Sequence, residues 1–318
     1  MKFFSYFGKG IEAVIRAAYA IVAIGVIAGA MYILGGYIYL HGAWGTDTRS
    51  IIAMLTWIDK YFPKVPFWYP LAGGGISLTH AYPVFSLYLI SFLKRISELN
   101  LIQSFNLLGA SSVLVMAVSI YAFVSLRFKN QTAAFLASIF YLVSPLAWTW
   151  LTDWGFYAES ISHMFAVPAV LFWDLFFTSI LKKDWGVKTR IFLLLTVVFL
   201  ALTSFSHFTA GLGVMGLFYF YVIAFTIKGG GEKKEILVRG FLAALMVGVL
   251  TFLATLAVNY PYQRYTGVAA EAGLTDGSSF ADRNKSLPRP LNVLGFMPIE
   301  KTDFSYSTRR IAFPAIVS

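Results

Sequence analysis

The side chains able to do acid–base or metal chemistry are few, and they are unevenly placed. The four histidines, His41, His80, His163 and His207, and the acids Asp47, Asp153 and Glu159 lie between long apolar runs or at their ends. Asp47 sits in Gly45-Thr46-Asp47-Thr48-Arg49, just after the first run, and Asp153 follows Thr152 just after another. A carboxylate at a water-facing mouth can take a proton as general base, and two can hold Mg²⁺ or Mn²⁺. For Asp47 the residues leave two readings open: that chemistry, or an N-cap for a helix opening near Thr48. Thr152 or Asp153 has the same alternative, and Glu159 has that of a solvated helix end. His207, at Ser206-His207 between two apolar runs, is a polar hinge or a ligand for a phosphate or a sugar hydroxyl. No two histidines are three or four apart, so histidine spacing predicts no metal site. Asp174 is the one acid well inside an apolar run, where a charge suggests a proton or ion role.

Other chemistries are excluded. The chain has no cysteine, and so no disulfide, thiolate metal site or cysteine nucleophile. Gly73-Gly74-Gly75 lacks a following Lys-Ser/Thr and reads as a turn rather than a nucleotide loop. Asn284-Lys285-Ser286 is a glycosylation triplet.

The elements that must position these groups follow from composition. Of 318 residues, 58% are hydrophobic and only 13% charged. That is too little polar surface to wrap a water-soluble particle, which is typically about 25% charged. The expected class is an all-α polytopic membrane protein. Apolar runs long enough to cross a bilayer fall at about 17–40, 100–125, 132–151, 161–181, 190–206, 208–227 and 236–258. That makes about seven transmembrane helices. The net charge of +10 sits largely in short loops beside these runs, which points to membrane orientation and not to nucleic acid.

The run His80 to Leu93 is short for a span and is followed by Lys94 and Arg95. If it lies in the interface, the basic segments 1–16, 126–131, 182–190 and 228–239 all fall inside, and the turns 152–160 and 206–207, without Lys or Arg, fall outside. The predicted protein is therefore a multi-pass cell-membrane protein with a cytoplasmic N-terminus and its active face outside. Residues 1–258 form the seven-span module, with a first outer loop at 41–99. A second outer loop follows at 259–310, and residues 311–318 begin a further span. Ile51, Leu55, Ile58 and Phe62 share one face, so 51–62 is predicted as an interfacial helix, and 80–93 as a second.

The order of these parts resembles the GT-C superfamily of glycosyltransferases, which use polyprenyl-phosphate sugars. It is similar to protein mannosyltransferases, aminoarabinose transferases and archaeal membrane proteins named as pyruvoyl-tetrahydropterin-synthase-related. Asp47 occupies the place of the acid that opens the family's first outer loop. Ala81-Tyr82-Pro83-Val84-Phe85 is similar to its Tyr-Pro-Pro-Leu stretch. Arg127-Phe128-Lys129, Ser144-Pro145 and Thr152-Asp153 resemble the run that ends in its second acid. The resemblance covers residues 1 to about 258. It implies a GT-C-like fold and transfer of a sugar from a polyprenyl-phosphate donor to an acceptor on the outer face. Asp47 and Asp153 would be catalytic or hold Mg²⁺ or Mn²⁺; Glu159, His207, Arg264 and Tyr82 would bind substrate. The partners expected are the lipid-linked sugar, the bilayer and possible membrane-complex subunits. The alternatives are a non-catalytic GT-C-like subunit of a larger complex, and a transporter.

Overall fold

A computed structural model of the chain describes the backbone of residues 2–41, 45, 47–64, 66, 68–69, 76–77, 83–152, 155, 157–228 and 233–271. Within those segments the side chains of 2–13, 37–38, 41, 68, 76–77, 146, 150 and 257–271 are not described.

The order of helices is α1 Lys2–His41, α2 Thr48–Tyr61, α3 Phe85–Ser97, α4 Leu101–Phe128, α5 Gln131–Val143, α6 Pro145–Thr152, α7 Tyr157–Leu181, α8 Val187–Ser206, α9 Phe208–Lys228 and α10 Lys233–Glu271. One two-residue ladder interrupts them: β1 Trp68–Tyr69 pairs antiparallel with β2 Ile76–Ser77. Among the described residues six helices are long and apolar enough to cross a membrane, and the protein is integral to it. The expected run 132–151 is instead two helices. Pro145 has no amide hydrogen and pushes Ser144 to an extended conformation, with ψ 126°, so α5 stops after 13 residues and α6 starts afresh. The indole N–H of Trp148 donates to the Leu142 carbonyl at 2.7 Å and satisfies one group orphaned by the break.

Local signals place the other ends. Asn100 and Gln103 form a reciprocal capping box at the start of α4, and the Asn130 side chain caps α5. Lys129 takes the left-handed conformation that ends α4. His207, extended, separates α8 from α9. Beside it the two helices touch so closely that a Cβ on Gly211 would stand 2.1 Å from the Ser204 hydroxyl.

Three apolar clusters hold the bundle. Ile27 and Met31 of α1 pack with Val113 and Tyr121 of α4 and Leu142 of α5. Trp173 of α7 stacks on Phe218 of α9, 4.7 Å between centroids, within a cluster shared by α7, α8, α9 and α10. Lipid is as apolar as these side chains, so close packing and polar ties, rather than exclusion of water, hold such helices together. The third cluster closes one end: Ile51, Leu55 and Ile58 of α2 and Leu87 and Ile90 of α3 are buried against Phe105, Leu151, Tyr157 and Ile161. The predicted face of α2 is thus buried, but against the bundle end.

Asp59 of α2 holds both Lys94 and Arg95 of α3 at 2.5 Å, and the two helices pack together over one end of the bundle. Burial alone would raise the Asp59 pKa, but the hydrogen bonds and charges of Lys94 and Arg95 outweigh it and lower it. This capped end is the site end. The opposite, basic end gathers Arg127 at the end of α4, Lys183 just after α7 and Arg239 near the start of α10. There Glu235 bonds Arg239 at 2.6 Å and pairs with Lys183 at 3.4 Å. The last long helix, α10, continues past residue 258 to Glu271.

Candidate functional site

Asp47 stands immediately before α2, where an N-cap belongs, yet its side chain makes no capping hydrogen bond. The first turn is closed by main-chain bonds instead: the Thr48 amide donates to Gly45 and the Ile51 amide to Asp47. Of the two readings open to this residue, the cap is not in use. Its carboxylate is left at an exposed rim.

Burial raises the Asp47 pKa above the ordinary aspartate value, and the nearby Glu159 carboxylate raises it further. The structure therefore brings together two acids from distant parts of the chain. Gly155 shows how. Its φ of +71° suits glycine, and a Cβ there would stand 3.0 Å from the Thr48 amide nitrogen and hydroxyl and 3.1 Å from the Asp47 nitrogen. The loop that leads into α7 is pressed onto the start of α2 at a point where only hydrogen fits.

Tyr157 then fixes the start of α7. It is buried, stacks on Phe105 with centroids 4.1 Å apart, and donates its hydroxyl to the Phe105 carbonyl at 2.7 Å. This anchor aims Glu159, in the first turn of α7, across to the break between α8 and α9. Glu159 Oε1 and His207 Nε2 are 3.0 Å apart. The other ring nitrogen, Nδ1, lies 2.9 Å from the Thr209 hydroxyl. A carboxylate on Nε2 favours a proton there, which leaves Nδ1 to accept from Thr209, or to donate to it when the ring is charged. His163, one helical turn beyond Glu159, lies in the fields of both Glu159 and His207.

Asp47, Glu159 and His207, all predicted from sequence, thus share one neighbourhood with His163. His163 was noted as a histidine at this end but given no role; its i, i+4 spacing from Glu159 was the available signal. The importance of Gly155 had no sequence signal, because it depends on a contact with residues 47 and 48. Asp153, two residues before Gly155, lies outside the described residues, as does Tyr82. Arg264 falls within α10, with its side chain outside the described set. Among the described residues no three of His, Asp and Glu converge as ligands for one ion.

Asp174 is in none of this. It is buried toward the basic end, accepts a short hydrogen bond from the Tyr221 hydroxyl and lies 3.5 Å from Arg127 Nε. Arg127 also sits 5.3 Å from the Phe225 ring centroid. This acid is tied into packing between α4, α7 and α9.

No protein-family model matches the chain, and no curated protein sequence matches it. Among solved structures, it is similar to the archaeal oligosaccharyltransferase AglB from Archaeoglobus fulgidus, determined in complex with an inhibitory peptide and a dolichol-phosphate. The TM-score is 0.56 at 13% identity, and the match covers 82% of this chain and 35% of that one. The chain spans about a third of the length of the protein it matches. At this identity the likeness concerns the fold alone, an all-helical membrane architecture as expected from the sequence.

Proposed function

We propose that the protein is a membrane glycosyltransferase that moves a sugar from a polyprenyl-phosphate donor to an acceptor at the outer face of the membrane. One observation carries this reading: Asp47 makes no capping hydrogen bond among the described residues, at the end of a membrane-embedded bundle, beside the loop that contains Gly155 and in the field of Glu159. The polyprenyl tail keeps the donor in the bilayer, so its sugar can react only at the surface, where this mouth lies. The AglB structure, which shares the fold, held a dolichol-phosphate.

In the proposed step Asp47 takes the proton of an acceptor hydroxyl as general base. The acceptor oxygen forms a bond to the anomeric carbon. The bond from that carbon to the phosphate oxygen breaks, and its electron pair leaves with the polyprenyl phosphate. His207, held by Glu159 at 3.0 Å, is the group for the phosphate or a sugar hydroxyl in this reading. Tyr82 and Arg264 are further substrate contacts in this reading, and Asp153 is the partner of Asp47. A Mg²⁺ or Mn²⁺ bound by that acid pair would supply charge neutralisation for the departing phosphate.

The test is transfer from a synthetic polyprenyl-phosphate sugar by the purified chain in liposomes. Asp47→Asn is expected to lower transfer by about 100-fold or more while thermal unfolding stays unchanged. Full activity in Asp47→Asn would overturn the assignment.

A further inference from the structure

One corner of the site end carries cations and exposed apolar groups that neither the core nor the acid cluster uses. On α2, Trp57, Lys60 and Tyr61 form one stripe at i, i+3 and i+4, and exposed Lys64 follows just past the helix. The Lys60 ammonium lies 5.7 Å from the Trp57 ring centroid and 5.8 Å from that of Tyr61. On α3, Phe92, Arg95 and Ile96 form a matching stripe, in which Phe92 is 47% and Ile96 64% exposed. Lys94 is adjacent. The Arg95 guanidinium lies 4.1 Å from the Phe62 ring centroid, which joins the two stripes into one surface.

The charges do not cancel. Four cations, Lys60, Lys64, Lys94 and Arg95, face Asp59 and the C-cap residue Glu98. Asp59 is fully engaged by Lys94 and Arg95, and Lys60 and Lys64 have no acidic partner among the described residues. Cations in the last turn of a helix offset its dipole, which accounts for Lys60, Lys94 and Arg95. It accounts neither for Lys64, beyond the helix end, nor for Phe92 and Ile96 left open between the cations. The opposite faces of both helices are already buried, so these stripes are not unfilled core.

We propose that this corner is a docking site for anionic phospholipid headgroups of the leaflet at the site end. A headgroup presents a phosphate directly above acyl chains. Lysine and arginine beside exposed Phe92, Ile96 and Tyr61 match that layering, whereas a soluble acidic partner matches only the charge. Docked here, the far end of α2 is held at the level of the phosphates. Asp47 lies at its near end, roughly 20 Å away along the helix. The proposal stands without the transferase reading, and its test uses no transfer assay.

The test places a photo-reactive group in the corner. The full chain carrying Tyr61→p-benzoylphenylalanine is held in uncharged detergent micelles with equal amounts of phosphatidylglycerol and phosphatidylcholine, and lipid adducts are counted by mass. The expected result is a clear excess of phosphatidylglycerol adduct, which falls roughly 25-fold with added Lys60→Gln and Lys64→Gln, at about fivefold per lysine. Lys64→Gln alone, outside any helix, gives about fivefold and keeps the test open if the double variant unfolds. Equal adducts with both lipids, no lipid adduct at all, or a ratio indifferent to both lysines would each overturn the proposal.

Discussion

Glu159 Oε1 and His207 Nε2 lie 3.0 Å apart, although one opens α7 and the other interrupts α8 and α9. Toward the basic end, Asp174 of α7 bonds Tyr221 of α9. From 159 to 174 is 15 residues and from 207 to 221 is 14, so α7 and α9 run parallel and are tied at matching depths. The site is held by a helix pair fixed at both ends.

The Glu159–His207 tie is expected to be a real but modest coupling, because both side chains are about a quarter exposed. A double-mutant cycle with Glu159→Gln and His207→Ala, read by unfolding in detergent, should give about 0.5–1.5 kcal/mol. Additive losses would mean that the pair contributes no coupling.

Asp47 leads to a pH prediction. Its pKa is raised by burial and by Glu159, so transfer that needs the carboxylate should fall as pH drops, at a higher pH than an ordinary aspartate would show. Glu159→Gln removes the repulsion but not the burial. The acid limb of kcat/KM against pH should therefore move to lower pH without reaching the ordinary value. A limb that stays put, or moves up, would separate Glu159 from Asp47.

Gly155→Ala should be costly for its size. The new methyl meets main-chain and hydroxyl atoms of residues 47 and 48 at 3.0–3.1 Å, in a backbone conformation that side chains disfavour. A loss of about 1–3 kcal/mol in stability is expected, with transfer falling more than stability explains. An alanine variant with unchanged unfolding and activity would show that the loop is not pressed on α2.

The chain contains no cysteine, so Asp47→Cys with Asp153→Cys gives a clean pair. A short membrane-impermeant bis-maleimide should link them from outside, as Gly155 already touches Asp47 and Thr48. Labelling of both without linkage would remove the two-acid site. Labelling of position 153 only from inside would reverse the orientation.

Asp174 should behave as a structural residue. Asp174→Asn or Tyr221→Phe is expected to cost about 1–3 kcal/mol in stability and to leave liposome flux at background. Substrate flux in the intact protein, abolished by Asp174→Asn, would instead make this residue part of a transport path.

Parts of this architecture were legible before any fold was known. The stripe Ile51, Leu55, Ile58 and Phe62 pointed to an interfacial helix over 51–62; a helix forms at Thr48–Tyr61, with the first three of these residues buried against the bundle and Phe62 at its C-cap. The break at His207 followed from the length of the apolar stretch alone. Elsewhere local reasoning stopped short. The second helix of the first loop was expected over 80–93 but runs Phe85–Ser97, because Pro83 and Val84 precede its start and Asp59 accepts the two cations that looked like its end. Span 132–151 divided at Pro145.

By itself the sequence determined that the chain lives in a membrane, and it placed six of its long apolar helices to within a few residues. Each apolar run meets the bilayer independently, and hydrocarbon thickness and unsatisfied backbone groups impose the same demand on all of them. Only the tertiary structure decided that Asp47 is not a cap, that Glu159 reaches His207, and that Asp174 is locked to Arg127 and Tyr221. Those relations depend on which helices pack side by side and at what height. In lipid that choice is made by close contacts such as Gly211 on Ser204 and Gly155 on Thr48, which no run of hydropathy encodes.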